Sequence, residues 1–188
     1  FPDKILNDSL LSTNEYSDIQ NADIIFLALP SSTIIENIKY FSNYITSQQI
    51  VVNLSKGILS NGQTIIDYLT KELKSNNLIS LKGPSFAVEI MNRAETVLTL
   101  GYSKEKQKEI IFEIFTNTCI HLESTKDING VEILGVIKNI YAILLGIVFE
   151  KFTSPNSQFM ILSKVFNEIK ILNNIFKGDT KTIFLACG

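Results

Sequence analysis

The chain has 188 residues, 45% of them apolar and 19% charged, and seventeen basic against nineteen acidic side chains leave a net charge of −2. That apolar content supports a packed core and excludes a disordered or low-complexity protein. The near-neutral balance, with Arg93 the one arginine, gives no electrostatic basis for nucleic acid or an anionic membrane as a partner.

Residues 1–20 are polar and irregular, and the first ten carry charges where a signal peptide would have an apolar run. The first apolar run, 24–29, stops at Pro30 and lacks polar alternation, which predicts a strand buried on both faces, as in parallel sheets. Ser31, Ser32 or Thr33 can cap the helix that follows, where Ile34, Ile35 and Ile38 have helical spacing. A second buried strand is predicted over 49–54, followed by Ser55-Lys56-Gly57 and an amphipathic helix over about 64–73. A third, 78–81, leads into Lys82-Gly83-Pro84-Ser85-Phe86-Ala87. A fourth, 96–100, precedes a charged helix over about 104–115, and a short fifth covers about 119–122. Strands and helices alternating at this spacing predict a parallel α/β sheet with right-handed crossovers. From Asp127 onward the signals are helical only: a long apolar helix over about 129–149, an interruption at Pro155, a helix over about 157–176 and a turn at Gly178-Asp179. The expected organisation is a sheet domain, 1–124, followed by a helical domain, 125–188.

Stretch 131–149 is long and apolar enough to need a membrane check. Glu132 and Lys138 lie inside it, and a lysine at the middle of a lone span is costly, so a buried helix without a membrane span is expected. Cys119 and Cys187 make neither a disulfide framework nor a metal motif and read as free thiols of a reducing, cytoplasmic compartment. Cys119 and the one histidine, His121, share a strand face but have no further ligand near, so no metal is expected.

In open parallel sheets ligands gather outside the carboxyl ends of the strands. Three loops fall there: Pro30-Ser31-Ser32, Ser55-Lys56-Gly57 and Gly83-Pro84-Ser85. Strand-to-helix turns use Gly, Pro and Ser in any case, so each loop alone has an ordinary structural reading. Lys56 differs in kind, since it directly follows a buried strand. Lys138 sits amid Val136, Ile137, Ile140 and Tyr141, where an unpartnered ammonium would cost several kcal/mol, so it must reach solvent, pair, or serve as a tuned proton donor or acceptor. Asn139 adds a polar group that packing does not need.

These residues, in order, resemble the bacterial-type NAD(P)-dependent glycerol-3-phosphate dehydrogenases over nearly the whole chain. The segment Asn21-Ala22-Asp23 to Leu29-Pro30-Ser31 is similar to the family's strand ending in Pro-Ser, and Ser55-Lys56-Gly57 to its Thr-Lys-Gly loop. Gly83-Pro84-Ser85-Phe86-Ala87 with Glu89 resembles its Gly-Pro-(Ser/Thr)-Phe-Ala-x-Glu motif. Gly130-Val131-Glu132 and Ile137-Lys138-Asn139 resemble the start and centre of its catalytic helix. The resemblance implies a partial Rossmann-type NAD(P)-binding domain over 1–124 and a partial helical substrate and catalytic domain over 125–188. It implies reversible hydride transfer between sn-glycerol 3-phosphate and dihydroxyacetone phosphate, joining glycolysis to phospholipid synthesis, with NAD or NADP as cofactor and a small-molecule substrate as partner; it allows a homodimer. Lys138 would take the C2 hydroxyl proton and must be partly neutral to do so. Lys56, Gly83, Ser85, Lys138 and Asn139 would bind substrate, and Pro30, Lys56 and Ala87 the cofactor.

The chain departs from that pattern in three ways. It has no Gly-x-Gly-x-x-Gly turn for a pyrophosphate, and it stops at Gly188, ahead of the family's Gly-Asp-Leu and its Ser-Arg-Asn phosphate clamp, so it is expected to be an interior piece of a longer protein. After Gly146, glycines of the family are replaced by Phe149-Glu150 and Phe152-Thr153-Ser154, and a Thr-Arg-Gly by Ser163-Lys164-Val165. A related hydroxyacid or ketopantoate dehydrogenase, or a silent scaffold, are the alternatives. The Gly83-Pro84-Ser85-Phe86-Ala87 loop argues against the former, and joint retention of Lys56, Ser85, Lys138 and Asn139 against the latter.

Overall fold

A computed structural model describes residues 7–73 and 75–186. Residues 1–6 of the polar N-terminal stretch and the thiol expected at Cys187 lie outside the described residues. Within 7–23 a 3₁₀ helix, Tyr16–Asn21, precedes the first strand.

Among the described residues, five strands form one sheet in sequence order: β1 (Ile24–Leu27), β2 (Ile50–Asn53), β3 (Leu78–Lys82), β4 (Thr96–Gly101) and β5 (Ile120–Thr125). β1 pairs parallel with β2, with Ile24 opposite Ile50, and β2 pairs parallel with β3, with Val52 opposite Ile79. Helix α1 (Ile34–Phe41) follows β1, and α2 (Ile65–Glu72) follows β2. α2 starts where the Thr64 hydroxyl accepts a hydrogen bond from the Asp67 N–H, a cap that the sequence reading did not single out. Thr33 occupies the cap position of α1, but its hydroxyl donates to the Pro30 carbonyl and caps no helix N–H. Alternation along the strands sends Val51 to a core with Ile34, Ile38, Ile65 and Leu69, and Val52, Ile79 and Leu81 to the opposite core with Leu98, Leu100 and Ile111.

Two expectations are corrected here. β4 runs antiparallel to β3, with Leu81 opposite Leu100 and Lys82 opposite Thr99, before β5 resumes the parallel pattern. The connection between β3 and β4 holds only the five-residue helix α3 (Ala87–Met91). The chain therefore reverses at the same end of the sheet and makes no crossover between these two strands. β1 is also not buried on both faces: Phe26 is 40% exposed, because α1 and α2 pack on the Leu27 face and leave Phe26, on the other face, uncovered.

Helix α4 (Glu105–Phe115) leads into β5. Helices α5 (Ile128–Lys151), α6 (Pro155–Ile175) and α7 (Thr182–Ala186) follow among the described residues. Asp127 caps α5, its carboxylate accepting from the Gly130 N–H at 2.8 Å and from the Asp179 N–H and Thr182 hydroxyl at 2.6 Å. One side chain therefore starts α5 and anchors the turn that launches α7. α5 is long and apolar enough by composition to cross a membrane. Its first half packs against β3 and β4, and Val131, Ile133, Leu134 and Ile137 are buried with α6 and α7 beyond. In its second half Ile140, Ile143 and Ile147 are exposed, so the expected burial holds only as far as Tyr141, apart from Val148.

Candidate active site

The loops after β1, β2 and β3 meet at one end of the sheet because those three strands run in parallel. Ser55 ties the first two together: its hydroxyl accepts from the Leu29 N–H at 3.0 Å and donates to the Leu27 carbonyl at 3.3 Å. Gly57 lets them close, since a Cβ there would lie 2.3 Å from Ser31 Cβ. The second and third loops are tied by Lys56, whose Nζ donates to the Gly83 carbonyl at 3.1 Å.

A cavity of about 610 Å³ opens between these loops and α5. Its lining includes Lys56, Gly83, Ser85, Phe86, Gly135, Lys138 and Asn139, with Ala186 of α7 closing one side. Five of the residues singled out in the sequence thus share one wall-to-wall space, although Lys56 and Lys138 are 82 positions apart in the chain (138 − 56). A second cavity of about 450 Å³ adjoins it through Lys56, Gly83 and Ser85 and has apolar walls, among them Phe26, Leu54, Leu98 and Phe115. Pro30 and Ala87 line neither cavity: both are exposed, Pro30 in the loop after β1 and Ala87 at the first turn of α3.

Partial burial holds the pKa of Lys56 below the usual lysine value, and the charge of nearby Lys138 lowers it further. Lys138 is half-buried on α5. Two amines facing one cavity attract an anion, and a lysine in its neutral form accepts a proton from a hydroxyl placed against it. The arrangement suits a small ligand carrying both groups.

Beneath this site lies a buried ionic cluster that sequence reasoning did not single out. Alternation along β3 turns Ser80 and Lys82 toward α5, as it turns Asn53 of β2. Lys82 Nζ donates to the Glu132 carboxylate at 3.0 Å, to the Asn53 carbonyl at 3.1 Å and to the Ser55 carbonyl at 2.6 Å. The same Glu132 oxygen accepts from Asn53 Nδ2 at 2.8 Å and from the Ser80 hydroxyl. Lys82 and Glu132 are each 2% exposed. Burial pushes the Lys82 pKa down, and the Glu132 carboxylate opposes that shift. The signal in the sequence is a lone charge at the end of a strand and another in an apolar helix. His121 pairs with Glu95 on the exposed side of β5, away from the cavity.

A family model described as NAD-dependent glycerol-3-phosphate dehydrogenase N-terminus matches residues 1–109, and one described as NAD-dependent glycerol-3-phosphate dehydrogenase C-terminus matches residues 127–188. A curated relative, glycerol-3-phosphate dehydrogenase (NAD(P)+) of Neorickettsia sennetsu, is 28% identical over 185 residues, which is 97% of this chain and 55% of that protein. Among solved structures, glycerol-3-phosphate dehydrogenase of Coxiella burnetii superposes with a TM-score of 0.85 at 21% identity, covering 94% of this chain and 55% of that one. The enzyme of Saccharomyces cerevisiae superposes with a TM-score of 0.87 at 21% identity, covering 99% of this chain and 57% of that one. At such identity the superpositions show the fold. The chain spans about half the length of the curated relatives it matches.

Proposed function

The chain belongs to the NAD-dependent glycerol-3-phosphate dehydrogenase family, and on that premise we propose that its cavity serves the reversible oxidation of sn-glycerol 3-phosphate to dihydroxyacetone phosphate. The observation that carries the reading is the convergence of Lys56, Gly83, Ser85, Lys138 and Asn139 on one cavity of about 610 Å³. Lys138, in its neutral form, takes the proton of the C2 hydroxyl, and in the reverse direction its ammonium returns that proton to the carbonyl oxygen. Lys56, held against the Gly83 carbonyl, attracts the phosphorylated end of the substrate. Ser85 and Asn139 supply hydrogen-bonding groups to the remaining hydroxyl, and Gly83 leaves the space that a side chain would take.

NAD or NADP, when bound, supplies the acceptor for the hydride that leaves C2. The residues fit that group: the apolar cavity of about 450 Å³ adjoins the larger one at Lys56 and is walled by Phe26, Leu54, Leu98 and Phe115, a setting for a planar ring. Lys56, Pro30 and Ala87 are the residues proposed to hold the cofactor. Residues 1–124 would form part of its domain and 125–188 part of the helical substrate domain. The setting is the cytoplasm, which suits the free thiol of Cys119, and the product would enter phospholipid synthesis.

The test follows NADH and NADPH absorbance with dihydroxyacetone phosphate. The 188-residue chain by itself should be inactive, for want of a glycine-rich turn to anchor the dinucleotide. Extended to the full length of its relatives, the protein should turn over. There Lys138→Ala should lower kcat at least about 100-fold, the usual minimum for loss of a proton acceptor. Absence of turnover by the folded, full-length protein with both cofactors overturns the enzyme reading. Undiminished kcat in Lys138→Ala overturns the assigned base.

A further inference from the structure

We propose that Lys82 is a positioning residue: it ties the loop bearing Lys56 to the helix bearing Lys138, and so sets how the two amines face each other across the cavity. The inference rests on the functional reading above for its kinetic consequence, but its structural core does not. Lys82 does not line the larger cavity, although it borders the smaller one. On one side its Nζ holds the carbonyls of Asn53 and Ser55, the end of β2 and the residue immediately before Lys56. On the other it holds Glu132 of α5.

The stem of Lys82 makes a second contact with α5. At Gly135 an added Cβ would lie 2.9 Å from Lys82 Cγ and 3.1 Å from its Cδ, so the helix approaches this strand only because position 135 has no side chain. Gly135 and Lys138 are three residues apart and share a helix face. Lys82 therefore fixes α5 at Glu132 by charge and at Gly135 by contact, within two turns of Lys138. The Ser80 hydroxyl and Asn53 amide converge on the same Glu132 oxygen, so β2, β3 and α5 are locked at one point. Nothing in the packing of a strand end requires an ammonium there. An apolar side chain of similar volume would fill the space without reaching two carbonyls and a carboxylate.

The test compares the protein with the neutral double variant Lys82→Met/Glu132→Gln, which leaves no buried charge unpaired. Circular dichroism and cooperative urea unfolding establish that the variant is folded. A short amine-to-amine cross-linker, read by peptide mass spectrometry, then reports the Lys56–Lys138 pairing without any reference to turnover. The cross-link yield should fall at least about fivefold. In the full-length enzyme kcat should fall at least about tenfold while KM rises less than about threefold, because both ammonium charges remain but their alignment is lost. A folded variant whose cross-link yield stays within about twofold of the parent overturns the proposal, whatever its kinetics. A fall in cross-linking in a protein that turns over no substrate leaves the positioning role standing and overturns only the dehydrogenase reading. Should the double variant not fold, Lys82→Gln, which keeps a donor in the same space, carries the same measurement. Failure of both to fold makes Lys82 a core element and overturns the proposal.

Discussion

Replacing Glu132 by alanine should cost about 3–5 kcal/mol of stability, the range for removing one partner of a buried ion pair. The carboxylate is the common acceptor of Lys82, Asn53 and Ser80, each of them buried. Its loss leaves a buried ammonium with backbone carbonyls alone and two side-chain donors without an acceptor. Each stranded donor costs about 1–3 kcal/mol, but these costs overlap with the loss of the pair and do not add to it. Against a net stability of about 5–15 kcal/mol this is a large share. Glu132→Gln should cost less, since an amide oxygen still accepts from Ser80 or Asn53. Its deficit should also depend on pH. Without the opposing carboxylate, burial lowers the Lys82 pKa further below its unfolded value of 10.5. Between the folded and unfolded pKa the unfolded chain binds more protons, so the stability of Glu132→Gln rises with pH through that window. Urea unfolding followed by circular dichroism at about pH 7 and about pH 9.5 measures both effects, with an unchanged slope as the control. A Glu132→Ala protein within about 1 kcal/mol of the parent, or a Glu132→Gln deficit equal at the two pH values, would refute the reasoning.

Lys138→Ala should raise the pKa of Lys56 toward 10.5, because the charge of Lys138 is one of the two causes that hold it down; the titration of ¹³C-dimethylated Lys56 by NMR reads this, and a lowered midpoint contradicts it. Gly83→Ala places a Cβ 2.8 Å from the Val97 carbonyl and 3.1 Å from Leu98 Cα, so backbone must shift, at about 1–3 kcal/mol, and the carbonyl that holds Lys56 moves with it. Denaturant midpoints unchanged in Gly83→Ala would show that β4 yields freely. Tyr141, buried and donating to Glu168 at 2.8 Å, has its pKa raised to about 12. A raised pKa means stability fully present below about pH 10 and lost as pH rises through about 12. Tyr141→Phe should remove that part of the alkaline loss in urea midpoints, and parallel curves for the two proteins would exclude it.

The parts of the fold that were legible in the sequence are those where one local rule decides. The strand expected over 49–54 and the helix expected over about 64–73 follow from continuous apolarity and from amphipathic spacing, and both elements fall where expected. The direction of β4 was not legible, because spacing alone does not distinguish a crossover from a reversal, and a helix as short as α3 gives little periodicity to read. The extent of α5 was legible but its burial was only half so. Ile140 and Ile143 carry the same apolar signal as Ile133 and Ile137, and only the position of the sheet separates the two pairs.

At the site, Lys56 was readable because it directly follows a buried strand and Lys138 because it breaks an apolar context, and the latter logic extends to a pair. Lys82 ends a strand of otherwise apolar or small residues, and Glu132 interrupts an apolar helix; each alone reads as a cost of several kcal/mol. Two such costs of opposite sign in one chain are reduced together if the fold brings them into contact, and no other placement that buries both does so. The rule does not name the partner, since Lys56 also directly follows a buried strand; the structure pairs Glu132 with Lys82. Nor does the rule supply the role of the contact. That follows from the neighbours of Lys82, the carbonyl next to Lys56 on one side and the glycine one turn before Lys138 on the other. The pair therefore sits where two proposed site lysines from distant parts of the chain are set against each other. A neutral pair of equal volume would satisfy the packing of that region while leaving the Ser55 and Asn53 carbonyls unheld.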